Sequence, residues 1–115
     1  MNAITWGPPI QGASDRQERF AESVRMRYFL RLACARHHAE RRMRPGPDRD
    51  LTLAALAWLA GCDSARWWID HRGLHVWRLV EAAESEVQRE AAITEMLAED
   101  ERRRNEKQIE DRPSN

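Results

Sequence analysis

At 115 residues the chain makes one domain with room for one modest core, and 42% apolar with 33% charged residues marks a globular, heavily charged protein. Five Pro and five Gly are too few for a disordered or collagenous chain. Lys+Arg and Asp+Glu number 19 each, a formal net charge of +0 that argues against nucleic-acid binding steered by the whole molecule while leaving room for a local basic face.

Residues 1–13, MNAITWGPPIQGA, read as a non-helical arm, because Gly7-Pro8-Pro9 cannot continue a helix. Trp6 and Ile10 can fold back onto the helices or pack on a second subunit; a disordered arm is the plain alternative. The first helix starts at a capping box, Ser14 with Gln17, with Asp15 and Glu18 favouring the positive end of the dipole. It is predicted to run to about Arg44, where Pro45-Gly46-Pro47 ends it. Ala21, Val24, Tyr28, Leu32, Ala35, Ala39 and Met43 share one side and form its core stripe. Met26, Phe29, Leu30 and Ala33 form a second apolar patch elsewhere on the helix. A chain this small seldom covers two sides of so long a helix, so the patch is a candidate interface and a homo-oligomer is expected.

A third side carries Arg16, Arg27, Arg31, His38 and Arg41, with Arg42 beside them. Residues 25–44 hold seven Arg against one acid, Glu40, and Lys107 is the only Lys in the chain. Arginine's planar fork suits carboxylates, phosphates and stacking. A high-GC coding sequence enriches Arg equally, and the plain reading of the stripe is a solvated face that pairs with acids of the last helix.

Residues 45–50 read as a turn, with Asp50 or Thr52 capping a second helix over 53–60. That helix is apolar nearly all round and so must be central to the fold. Gly61 is its C-cap, Asp63 or Ser64 caps a short third helix from Ala65 to about His71, and Gly73 supplies another stop. The last helix is predicted from near Leu74 to about 104, with Val76, Val80, Ala83, Val87, Ala91, Thr94 and Ala98 on one side and Leu79, Ile93 and Leu97 flanking them. Beyond Ala98 the stripe fades, and 105–115 is expected to be a charged, frayed or disordered tail. The expected fold is an all-α small helical bundle, two long antiparallel helices with two short helices between them, its helical domain spanning 14–104.

The stretch LAWLAGCDSARWW resembles a helix-turn-helix unit, with Ala57, Gly61, Cys62 and Trp67 at its small, turn and apolar positions. It departs from that pattern at Asp70, where an apolar residue is expected. The resemblance implies a reading helix presenting Asp63, Ser64, Ala65, Arg66 and Trp68, with Arg66 reaching a guanine edge and Asp63 and Asp70 facing phosphates unfavourably. Trp67 and Trp68 are adjacent and point about 100° apart on a helix. Trp58, Trp67 and Trp77 are assigned to the core, and Trp68 to the surface as an interface anchor.

Cys34 with His37 or His38, and Cys62 with His71 or His75, supply the ligand types of tetrahedral zinc, but no C-x2-C knuckle is present, and both cysteines read more simply as small buried apolar residues. No metal and no cofactor are therefore expected. Catalysis is not expected either: the chain has no nucleophile elbow, Gly-rich phosphate loop or HExxH, and a Cys34–His71 pair would need an oxyanion site that a simple bundle rarely offers. With two cysteines, no basic leader before an apolar run and no 18-residue uncharged stretch, a cytoplasmic protein with free thiols and no membrane association is expected. The leading reading is a small non-enzymatic regulator or adaptor that binds, and can inhibit, a partner protein. Its contacts are Arg27, Arg31, Arg41, Arg42, Arg66 and Trp68. The alternative is a helix-turn-helix-like DNA-binding protein, a transcription regulator or DNA-packaging recognition subunit.

Overall fold

The computed structural model describes residues 7–110, which form four helices and no strand: α1 (Asp15–Arg41), α2 (Pro47–Gly61), α3 (Ala65–Asp70) and α4 (Val76–Glu110). The all-α bundle with two long helices and two short ones between them is the expected architecture. Trp6 lies outside the described residues, as do 111–115 of the tail.

Local chemistry explains most boundaries. Ser14 Oγ accepts the Gln17 N–H at 3.1 Å, and the Gln17 side chain returns a bond to the Ala13 N–H at 2.6 Å, so orphan donors at the start of α1 are satisfied. Ser64 caps α3 in the same way, accepting the Trp67 N–H. The start of α2 differs from the prediction. The helix begins at Pro47 rather than Leu53, because proline's missing N–H and preset φ suit a first helical turn, and Asp48 and Asp50 then sit favourably against the dipole. The last helix continues through Glu110, so residues 105–110 are helical.

The helices pack through a core centred on Trp68, with Val24, Tyr28 and Leu32 from α1, Leu56 and Leu59 from α2, and Leu79, Val80 and Ala83 from α4. Each fully buried side chain of this size contributes about 1.5–3 kcal/mol relative to exposure. Phe29, Leu32 and Ala33 lie beside Leu56 and Ala60, so α2 doubles back along α1. The Thr52 side chain lies beside Glu84, and the Trp58 indole N–H donates to Glu90 at 2.9 Å. Those two contacts set α4 parallel to α2 and hence antiparallel to α1. Each long helix takes a short one as its main packing partner, α3 against α1 and α2 against α4.

The lead-in is folded back. Ile10 is buried in the core, and Gln11 pairs with the start of α3, donating to the Asp63 carbonyl at 2.6 Å and accepting from the Ala65 N–H at 2.9 Å. Gly7 has φ +88°, and a Cβ there would stand 2.6 Å from the Ala60 carbonyl oxygen, so this crossing requires glycine.

Helix lengths decide the outline of the molecule. Fifteen residues of α2 span about 22 Å and thirty-five of α4 about 52 Å, so α4 outlasts its support. From Gln88 to Glu110 every residue is exposed, and the molecule reaches 68 Å along its longest axis. Its radius of gyration is 19.5 Å, against about 13 Å for a compact chain of this length.

Candidate protein-docking surface

The outer side of α1 and the first turn of α4 enclose an open groove of about 440 Å³, lined by Leu30, Arg31, Cys34 and His38 from α1 and by Val76 and Trp77 from α4. Positions 27, 31, 34, 38 and 41 repeat every three or four residues, so they form one continuous helix face. Leu30 is 73% exposed, Met26 45% and Trp77 38%. The His38 ring meets Trp77 edge-on with centroids 5.6 Å apart, which fixes one wall. Large apolar side chains in this degree of contact with water are characteristic of binding surfaces when they form a patch rimmed by polar groups.

The rim is supplied by arginine. Arg27, Arg31, Arg41 and Arg42 are all exposed, and none makes an ion pair among the described residues. The solvated pairing with acids of the last helix, the plain reading of this stripe, does not occur within the described chain. Arg36 is the exception nearby: it bonds Glu40 at 2.9 Å, and that bond, chiefly, holds the Glu40 carboxyl below its usual range.

Two sequence expectations require correction. Trp68 is not a surface anchor. Its relative exposure is 0%, its indole N–H donates to the Cys62 carbonyl at 3.1 Å, and its ring lies 6.4 Å from Tyr28 where α3 crosses α1. Among the described residues the exposed tryptophan is Trp77, which the sequence assigns to the core. The Met26, Phe29 and Leu30 patch is unevenly exposed. Phe29 is half-buried toward α2, Leu30 turns into the groove, and Met26 stays in solvent between them. Arg66 also falls apart from the other proposed contacts. It lies on α3, is highly exposed and faces Asp70 at 3.6 Å, a surface pair worth little.

Arg25, counted in the sequence with the local basic excess, is buried completely. It donates to the Pro8 carbonyl at 2.7 Å and to Glu22 at 2.6 Å, so it clamps the lead-in to α1. It lies beside the core stripe on the helical wheel, and that proximity was the only available hint.

In the helix-turn-helix-like segment, Cys62 is buried and Trp67 half-buried, while Ala57 is exposed and Ala65, expected on the reading face, is buried. The second helix is six residues long, and the backbone of Asp63 and Ala65 at its start is paired with Gln11. Trp67 stacks on His71 at 4.1 Å and meets Trp58 at 4.9 Å, so this aromatic run knits α2 to α3. Burial pushes the Cys62 thiol up, away from the thiolate that nucleophilic or metal chemistry needs, while Cys34 is exposed in the groove. Among the described residues no three His, Cys, Asp or Glu side chains converge as a metal would require, and no helix is long and apolar enough to cross a membrane.

Comparison with protein-family models, curated proteins and solved structures gives no match to this chain.

Proposed function

We propose that the protein is a small non-enzymatic binding module, a regulator or adaptor in the cytoplasm that engages a partner protein through the outer face of α1. The observation that carries this reading is the coincidence of an exposed Leu30–Trp77 groove with four exposed arginines that have no ion-pair partner in the described chain. Tryptophan and arginine dominate interface hot spots, because each combines a large apolar or planar surface with a donor. Leu30 and Trp77 then take the partner's apolar side chain, and Arg27, Arg31, Arg41 and Arg42 pair with carboxylates around it. Arg66 and Trp68 have no part in this surface. Occupying a functional surface of the partner would make the protein an inhibitor.

The test is capture from nuclease-treated native lysate with the wild-type chain, Leu30→Glu and Arg31→Glu. A protein retained by the wild type and lost by both variants is the expected result. Retention that disappears with nuclease, together with duplex-DNA affinity falling steeply in log K against log salt, overturns it in favour of DNA binding by the basic stripe.

A further inference from the structure

We infer that the groove's partner is a second copy of this chain, whose projecting α4 arm lies across the outer face of α1. The inference rests on reading that face as a protein-docking surface, and it identifies the occupant.

The same molecule presents two unpartnered surfaces of opposite character. One is the α1 face, apolar at Leu30 and Trp77 and basic around them. The other is the arm. Ile93, Met96 and Leu97 are 49%, 68% and 64% exposed and recur at the i, i+3, i+4 spacing with which a helix enters a groove. Nothing among the described residues of its own subunit covers them, because α2 ends before they begin. The charges beside them are acidic. Between Arg89 and Arg102 the arm holds Glu90, Glu95, Glu99, Asp100 and Glu101 with no base, and beyond it Arg102, Arg103, Arg104 and Lys107 mix with Glu106 and Glu110, whereas residues 27–42 hold Arg27, Arg31, Arg36, Arg41 and Arg42 against one acid, Glu40. Within their own subunit Glu90 accepts from Trp58 and Glu99 pairs with Arg103, while Glu95, Asp100 and Glu101 make no ion pair among the described residues.

The acidic segment of this amphipathic helix, around Ile93, Met96 and Leu97, and the basic apolar groove on the same chain are complementary in shape class and in sign. A two-fold arrangement makes the joint twice, arm to groove and groove to arm, and so doubles the buried surface toward the about 1,600 Å² of a standard interface. Attraction between exposed groups of opposite sign is screened by salt, so the dimer weakens as ionic strength rises.

Sedimentation of the full chain at about 100 μM, where a micromolar interface is saturated, tests this. The wild type sediments as a dimer, and raising salt from about 0.05 to 0.5 M increases Kd about tenfold. Arg27→Glu/Arg31→Glu and Glu95→Arg/Glu101→Arg are each monomeric, and the four substitutions in one chain restore the dimer. Leu30→Glu and Leu97→Asp are monomeric with unchanged far-ultraviolet circular dichroism, since both positions are exposed. Thiol reagent reaches Cys34, which lines the groove, more slowly in the dimer than in these monomers. A monomeric wild type, a dimer that survives either charge reversal, or a combined variant that stays monomeric overturns the inference. A monomeric wild type that still captures a nuclease-resistant protein through Leu30 leaves the docking reading standing; one that captures nothing removes both.

Discussion

Replacing Arg25 with Met keeps the length of the side chain and its packing but deletes the guanidinium. Two charge-assisted hydrogen bonds disappear, to the Pro8 carbonyl and to Glu22. Truncating one partner of a buried ion pair costs about 3–5 kcal/mol, mostly because the other charge is stranded. Here the Glu22 side chain keeps 31% of its exposure, so water relieves part of that penalty and the lower limit, about 3 kcal/mol, is expected. With an urea m-value of about 1.5 kcal/mol/M the midpoint falls by about 2 M. At about 4 °C per kcal/mol the melting temperature falls by about 12 °C. Urea unfolding followed by tryptophan fluorescence measures this directly. The clamp is itself incompletely satisfied, since Arg25 Nε and Glu22 Oε1 are buried without a hydrogen-bond partner among the described residues. The pair is therefore worth less than its truncation costs, and Arg25→Met/Glu22→Met recovers more than half of the loss by removing the stranded carboxylate. The reasoning is refuted if Arg25→Met lies within about 0.5 kcal/mol of the wild type, or if the double variant is no more stable than the single one.

Trp68→Ala leaves a large void where α3 crosses α1 and is expected to cost about 3–5 kcal/mol, a large share of a small domain's stability; loss of cooperative thermal unfolding would register it. Trp77→Ala, at the groove, is expected to leave the melting temperature within about 2 °C, and a collapse as severe as that of Trp68→Ala would return Trp77 to the core. Glu84 supplies a pH signature. Burial raises its carboxyl above the ordinary value, with Glu81 adding to the effect and Thr52 opposing it. The folded chain thus holds this proton more tightly than the unfolded one. The group's favourable contribution is complete below the unfolded value and is lost as pH rises through the folded one. Glu84→Gln should therefore raise the urea midpoint at pH 7 and make no difference at low pH, below the unfolded carboxyl value; equal shifts at both would show that the effect is not ionisation. Cys62 behaves alike at the alkaline end, where burial raises the thiol: stability declines as pH climbs past the unfolded thiol value, and Cys62→Ala should flatten that decline.

Much of the secondary structure was legible because helix starts and stripes are local. Ser14 and Gln17 sit within hydrogen-bond reach through backbone geometry alone, and every member of the α1 core stripe except Met43, which falls past the end of the helix at Arg41, is buried as its periodicity requires. Pro47 opens α2 and does not end α1, which already stops at Arg41, and its role is hidden in the sequence because the pattern of apolar residues begins only four positions later. Arginine enrichment marked the α1 face correctly as basic, yet the same count swept in Arg25, whose burial depends on a carbonyl seventeen residues earlier.

By itself the sequence determined the class of fold, the Ser14 cap, the core face of α1 and the sign of its outer face, since each follows from neighbours within one or two turns. Only the tertiary structure decided which tryptophan is exposed and what α4 leaves uncovered. Trp67 and Trp68 differ by one step on a helix, so the choice between them belongs to where α3 crosses α1 and Tyr28. The arm exists because α2 stops after fifteen residues while α4 runs for thirty-five, and nothing in the apolar spacing of α4 records where its support ends. Such outcomes depend on contacts between residues far apart in the chain, to which hydrophobic periodicity is blind.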